Sequence, residues 1–227
     1  MANILAIESS TKNCSVALFK DGTCLVLKEE IGEQFIHSEK LHVFMDEVLK
    51  SQNFAAKNLD AIAVGAGPGS YTGLRIGLSS AKGLAFALKL PLISANSLEI
   101  LAHQLLKQEK IPKDAILHPM IDARRMEVYT ASYNCDLQEL SKVEAQIINE
   151  DIYQDAKPRY FFGDGASKFE QVFQNENYVF PQLYYPSALA LGEIAMDKYA
   201  RKDFEDLAYF EPLYVKNFQA GKPKKLL

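Results

Sequence analysis

Residues 65–77, GAGPGSYTGLRIG, leave this chain few choices of fold. They join the apolar run Ala61-Ile62-Ala63-Val64 to a long stretch of helix formers, so they must turn a strand into a helix. Glycine permits backbone conformations and close approaches that other residues do not, and amides at a helix start can meet an anion. Two readings stay open. One is a phosphate-binding turn with Gly67 and Gly69 as candidates; the other is a tight turn that lets a helix pack closely. The phosphate reading meets neither established template. No Gly-Lys-Ser/Thr closes the segment, and its glycines miss the Gly-x-Gly-x-x-Gly spacing.

The helix expected over 72–89 contains Gly73, Gly77 and Gly83. Each costs roughly 1 kcal/mol relative to alanine in a helix interior. Packing must offset that cost. Gly73, Gly77 and Ala81 recur every four residues and form a smooth stripe beside Leu74, Leu78, Ala85 and Leu88. The stripe faces either the chain's own sheet or a second chain.

Around this segment strands and helices alternate. Ile4-Leu5-Ala6-Ile7, residues 15–19 and Cys24-Leu25-Val26-Leu27 read as a three-strand meander, with Asp21-Gly22 as its hairpin turn. Helical spacing of Leu41, Phe44, Met45, Val48 and Leu49 predicts a helix over 38–50, with Ser38 as N-cap and Glu39 in its first turn. A strand near Leu92-Ile93 and a helix over 98–107 complete the first half. The second half opens alike: a strand over 115–121 ending at Asp122, as the first ends at Glu8, then a returning strand over 126–133. Tyr160-Phe161-Phe162 next enters Gly163-Asp164-Gly165 and a helix from Ala166, echoing the order at Gly65. A helix over 187–201 and an extended stretch over 212–215 follow. This repetition predicts two related α/β lobes, 1–109 and 110–227. The last helix and tail are expected to return to the first lobe, and the crevice between lobes is the natural ligand site.

The chemistry-bearing residues form no enzyme pattern. His37 and His42 are five apart, about 500° around a helix, unlike the four-residue spacing of a His-x-x-x-His metal pair. Ser10, Ser70 and Cys14 lie near turns, but none sits in a Gly-x-Ser-x-Gly elbow. Glu8 and Asp122 could hold a water-linked magnesium between lobes, or serve as ordinary strand-end residues. The formal net charge of -4 argues against a free-standing nucleic-acid binder. Arg124-Arg125 and the tail lysines read as solvated surface that could approach RNA within a complex. Three scattered cysteines match neither a disulfide framework nor a zinc site. With no signal-like N-terminus and no long apolar stretch, a cytoplasmic protein is expected, without membrane attachment.

In order, ILAIESSTKNCSVAL, HSEKL, GAGPGSYTGLRIGLSSAKGLA, IDARRMEVY and EPLYVK resemble the TsaB (YeaZ) family, over residues 4 to about 216. Glu8 stands where many relatives carry Asp, Met126 where Gly is common, and Lys216 where Arg is usual. The resemblance implies an actin-like, two-lobed α/β fold of the ribonuclease H-like kind, with mixed five-stranded sheets flanked by helices. It implies a non-catalytic subunit that binds the catalytic subunit TsaD and, with the ATPase TsaE, supports threonylcarbamoyl transfer to tRNA; the alternatives are a nucleotide-binding kinase or ATPase of the same fold, and a glycoprotease-like metallopeptidase, which the missing metal pair disfavours. TsaD itself bears a His-x-x-x-His metal pair that this sequence lacks. No cofactor is implied for this chain; ATP, ADP and metal belong to the partner subunits, and tRNA is reached through the complex. A homodimer is implied in isolation. The expected partner surface comprises His37, Ser38, Glu39, Leu41, Phe44, Met45 and Val48, with Gly73, Leu74, Gly77, Leu78 and Ala81. On that placement, Leu41→Glu or Leu78→Glu should abolish complex formation and leave the fold intact.

Overall fold

The computed structural model describes residues 2–32, 36–148, 153, 157–170, 172–173, 175–182 and 184–216. The lysine-rich stretch at 221–225 lies outside them.

Unbroken apolar runs and alternating ones both become strands here. Ile4 to Ile7 lies in β1 (Asn3–Glu8), which pairs antiparallel with β2 (Asn13–Lys20). β2 in turn pairs antiparallel with β3 (Thr23–Ile31). Asp21 and Gly22 both take positive φ, 53° and 85°, as a two-residue hairpin turn requires. Helix α1 (His37–Ser51) leads into β4 (Ala61–Gly65), which lies parallel to β1 on its other side. Helix α2 (Tyr71–Leu88) leads into β5 (Leu92–Ala95), parallel to β4. Helix α3 (Ser97–Gln108) closes the first half.

The second half repeats this order. β6 (Ile116–Asp122) pairs antiparallel with β7 (Glu127–Thr130), and β7 with β8 (Glu144–Ile147). β9 (Arg159–Phe162) is parallel to β6, and β10 (Tyr178–Val179) is parallel to β9. Both sheets therefore run third-second-first-fourth-fifth in their own strand order: β3-β2-β1-β4-β5 and β8-β7-β6-β9-β10. Two mixed five-stranded sheets of one topology, flanked by helices, give the actin-like α/β architecture. The helix expected from Ala166 is a correction: only one 3₁₀ turn, Ala166–Lys168, forms between Gly165 and Phe169. The stretch over 212–215 runs along the surface without joining a sheet. Helix α4 (Ala188–Arg201) is the last helix among the described residues, capped by the Ser187 side chain, which accepts from the Leu189 amide.

Strand alternation assigns the helices to faces. Leu5, Ile7, Ile62 and Val64 point to one side of the first sheet and pack with Leu41, Phe44, Val48, Leu78 and Ala85 of α1 and α2. Ile4, Ala6, Ala61 and Ala63 point to the other side and meet Ala188, Leu191, Ile194 and Ala195 of α4. Helix α3 goes instead to the second sheet, where Leu98, Leu101 and Leu105 pack on Leu117, Ile121 and Phe162. The two halves thus exchange helices. The small residues facing α4 allow a close approach, and at Gly192 a Cβ would overlap the Phe19 ring.

Gly192→Ala should accordingly destabilise the chain by about 1–3 kcal/mol through overpacking. Urea unfolding followed by circular dichroism checks this; an unchanged midpoint would contradict the α4 placement.

Candidate functional site

The end of β1 and the start of α2 meet in one buried knot. Glu8 is fully buried, and its Oε1 accepts a hydrogen bond from the Ser10 amide at 2.6 Å. Burial pushes its carboxyl above the usual carboxylate range. A side chain at Gly65, the last residue of β4, would overlap Oε2 of Glu8. Further along, Cβ atoms at Gly69 and Gly73 would overlap the Ser10 and Ser9 carbonyl oxygens, and one at Gly77 would overlap Ser9 Oγ. Ser9 Oγ donates to the Gly73 carbonyl at 3.0 Å. The glycines therefore seat α2 on the turn after β1.

Close packing accounts for the glycines at 65, 69, 73 and 77. The Ala66 amide donates to Ala95 O at 2.8 Å and the Ser70 amide to Ser10 O at 2.6 Å. The Gly73 amide donates to Ser70 Oγ, so Ser70 caps α2. The amides of Ala66, Ser70 and Gly73 are thus engaged inside the chain. Gly67, with φ of 94°, makes the turn itself and passes its carbonyl to the Ser97 amide at 2.8 Å.

The matching position in the second half is built differently. Asp122 ends β6, and its Oδ1 accepts from the Arg124 amide at 2.6 Å and from Lys168 Nζ. Asp164, in the Gly163-Asp164-Gly165 turn, accepts the Asp122 amide at 3.0 Å. Burial, with the neighbouring Asp122 charge, pushes Asp164 up to about 6. The two histidines of the His37–His42 segment diverge, as their spacing requires. His37 is buried with Nε2 2.7 Å from Thr11 O, while exposed His42 pairs with Ser80 Oγ at 3.2 Å. Among the described residues, no group of three His, Cys, Asp or Glu side chains could hold a metal ion.

The expected partner surface has to be redrawn. His37, Leu41, Phe44, Met45, Val48, Gly73, Leu74, Gly77, Leu78 and Ala81 are all buried within the chain; of that set only Ser38 and Glu39 are exposed. The apolar faces of α1 and α2 cover their own sheet, which would otherwise expose Leu5, Ile7, Ile62 and Val64. Ser38 is not the cap either: α1 begins at His37 behind Ile36, whose carbonyl takes the Glu39 and Lys40 amides at 3.0 Å.

What α1 and α2 present outward is a second surface, missed by the apolar periodicity. Val43 on α1 is 46% exposed and Phe86 on α2 is 78% exposed. Gly83 lies on the same outer side of α2, where an added Cβ would meet nothing within 4 Å. Among the described residues nothing requires glycine there, unlike at Gly73 and Gly77. The Ser80–His42 contact ties the two helices together, so their outer sides act as one face. Phe86 was findable, since it sits one residue, about 100°, beyond Ala85 on the helical wheel.

The chain's last described segment returns to this face. The Leu213 amide donates to Ala66 O at 2.8 Å, and Lys82 Nζ donates to the Ala208 and Phe210 carbonyls at 3.1 Å each. Arg75 Nε donates to Tyr214 Oη at 3.1 Å. Among the described residues, no helix is long and apolar enough to cross a membrane.

Known proteins of the same kind exist. A family model described as TsaD, tRNA N6-adenosine threonylcarbamoyltransferase, matches residues 33–220. The tRNA threonylcarbamoyladenosine biosynthesis protein TsaB of Haemophilus influenzae is 30% identical over 229 residues, covering 94% of this chain and 93% of that protein. YeaZ from Pseudomonas aeruginosa superposes with a TM-score of 0.81 at 27% identity, over 94% of this chain and all of that one. The activator of 2-hydroxyisocaproyl-CoA dehydratase from Clostridium difficile, solved with ADPNP, shares only the fold. It has a TM-score of 0.50 at 8% identity, over 96% of this chain and all of the other.

Glu8 and Asp164 generate a pH dependence with a definite sign. An acid whose folded pKa is raised holds its proton more tightly folded than unfolded, so stability is lost as pH rises through the gap. For Asp164 that window runs from 3.8 to about 6. Asp164→Asn should flatten the decline in thermal midpoint across it. Glu8→Gln should likewise gain on the wild type as pH rises to neutrality. Parallel melting curves for wild type and variants at every pH would refute both assignments.

Proposed function

The chain belongs to the TsaB (YeaZ) family of tRNA threonylcarbamoyladenosine biosynthesis proteins, and on that premise we propose that it is a non-catalytic subunit docking on a TsaD-like partner. In this reading a TsaE-like ATPase completes the assembly, and the partner transfers the threonylcarbamoyl group to N6 of the adenosine following the anticodon in ANN-reading tRNAs. ATP, ADP and metal bind the partner subunits, and tRNA is reached through the complex, in the cytoplasm.

The observation that carries the reading is the outward side of the α1–α2 pair, where Val43 is exposed on α1, and Phe86 is exposed on α2 one turn after the open Gly83. A large exposed aromatic beside a helix glycine with open space suits close packing of another helix pair. A specific complex buries about 800 Å² per partner, a patch that two helices of this length can supply. In the absence of the partner, the same face supports a homodimer.

Exposed residues therefore replace the buried ones as tests. Phe86→Glu or Val43→Glu should weaken co-purification with a TsaD-like subunit by about tenfold or more, equivalent to ~1.4 kcal/mol, with the thermal midpoint unchanged. Leu41→Glu and Leu78→Glu should instead unfold the chain, because each buries an unpaired charge. Gly83→Ala should stabilise the isolated chain by about 1 kcal/mol and still weaken the complex. A reconstituted modification assay omitting each component in turn tests the role itself. Full activity without this chain, or intact complexes with Phe86→Glu, would overturn the reading.

A further inference from the structure

Beside the outer face of α2 runs a groove of about 300 Å³. Arg75, Ser79 and Lys82 line its helix side, and Phe210, Pro212 and Tyr214 form the opposite wall. The three helix residues recur at four and three positions, which stacks them along one side of α2.

Among the described residues, the hydrogen bonds that hold both cations in place are to neutral groups. The Arg75 guanidinium lies 4.1 Å from the Tyr71 ring centre and 6.0 Å from that of Tyr214, and the two rings are 4.9 Å apart. Its Nε is committed to the Tyr214 hydroxyl, and a guanidinium carries four further N–H donors. Lys82 donates to the carbonyls of Ala208 and Phe210, which leaves a third N–H and the full ammonium charge. Glu211 lines the groove as well, so its charged side chains are two cations and one carboxylate. The groove thus combines two positioned cations with an apolar, partly aromatic wall, on a chain whose formal net charge is -4.

We propose that this groove receives an acidic segment of the partner subunit, with a carboxylate between Arg75 and Lys82 and an adjoining apolar side chain against Phe210, Pro212 and Tyr214. The inference rests on the docking reading above and deepens it. Charge complementarity selects the occupant, and Ser79 places the groove on the same exposed side of α2 as Gly83 and Phe86. A planar guanidinium stacked over the Tyr71 ring and bonded to the Tyr214 hydroxyl presents its remaining donors in a fixed direction, the geometry that suits a carboxylate.

Ser79 allows the sign of the charge to be tested without disturbing Arg75 or Lys82. Binding of the purified full-length chain to its purified TsaD-like partner would be measured by calorimetry at low and high salt. Thermal midpoints of all variants serve as folding controls. Ser79→Glu is expected to weaken binding about tenfold or more, with the loss shrinking at high salt. Ser79→Lys is expected to bind as tightly as wild type or tighter. Equal weakening by both variants would mean simple steric burial and would overturn the proposal. So would no change in either, or an effect confined to self-association of this chain, which would make the occupant a second copy. If the wild-type chain does not bind the partner at all, the docking reading fails first and this inference goes with it; if wild type binds and the two charges behave alike, only the groove assignment is lost.

Discussion

The turn at residues 8–10 is pressed into the first turns of α2, and the rest of the molecule is arranged around that contact. Ser9 and Ser10 place backbone and hydroxyl oxygens where side chains of residues 69, 73 and 77 would otherwise be. The helix can therefore lie close to β1 and β4, within reach of a hydroxyl-to-carbonyl bond. Once α2 is fixed at that height, α1 fills the remaining width of the sheet, and the two apolar stripes are consumed as cover. The outward surface is what remains. Its character, with an exposed phenylalanine beside an unexplained glycine, is set by residues that the internal contact leaves alone.

Much of this was legible in the amino acids. Apolar runs located the inner strands, Asp21-Gly22 marked a hairpin, and the strand-glycine-helix order placed α2 to within a residue. Periodicity shows which residues share a face, but not what covers that face. Leu41 and Leu78 looked available to a partner because nothing in their own segment reveals that Leu5 and Ile62 need them. Gly65 posed the same difficulty. The reason for glycine there is the Glu8 carboxyl, a neighbour in space that is distant along the chain. Local signals also failed at two helix ends. Ile36 supplies by its carbonyl what Ser38 was expected to supply by its hydroxyl, and the segment after Gly165 stops after one turn.

The repetition between halves separates what the fold demands from what each copy does with it. Both copies need glycine where the fourth strand ends beside the first. Gly65 makes room for an acid side chain, whereas a Cβ on Gly163 would overlap the Met120 carbonyl oxygen. The strand-end acids have drifted apart: Glu8 is sealed inside, and Asp122 is half-exposed and held by Lys168.

The exchange of α3 and α4 between the sheets has a mechanical consequence. Each sheet borrows a wall from the opposite end of the polypeptide, so the halves are interlaced like clasped hands. Any swivel of one against the other must carry a borrowed helix along or tear it from its bed of leucines and alanines. Each borrowed helix therefore travels with the sheet it covers, not with the half of the sequence that supplies it.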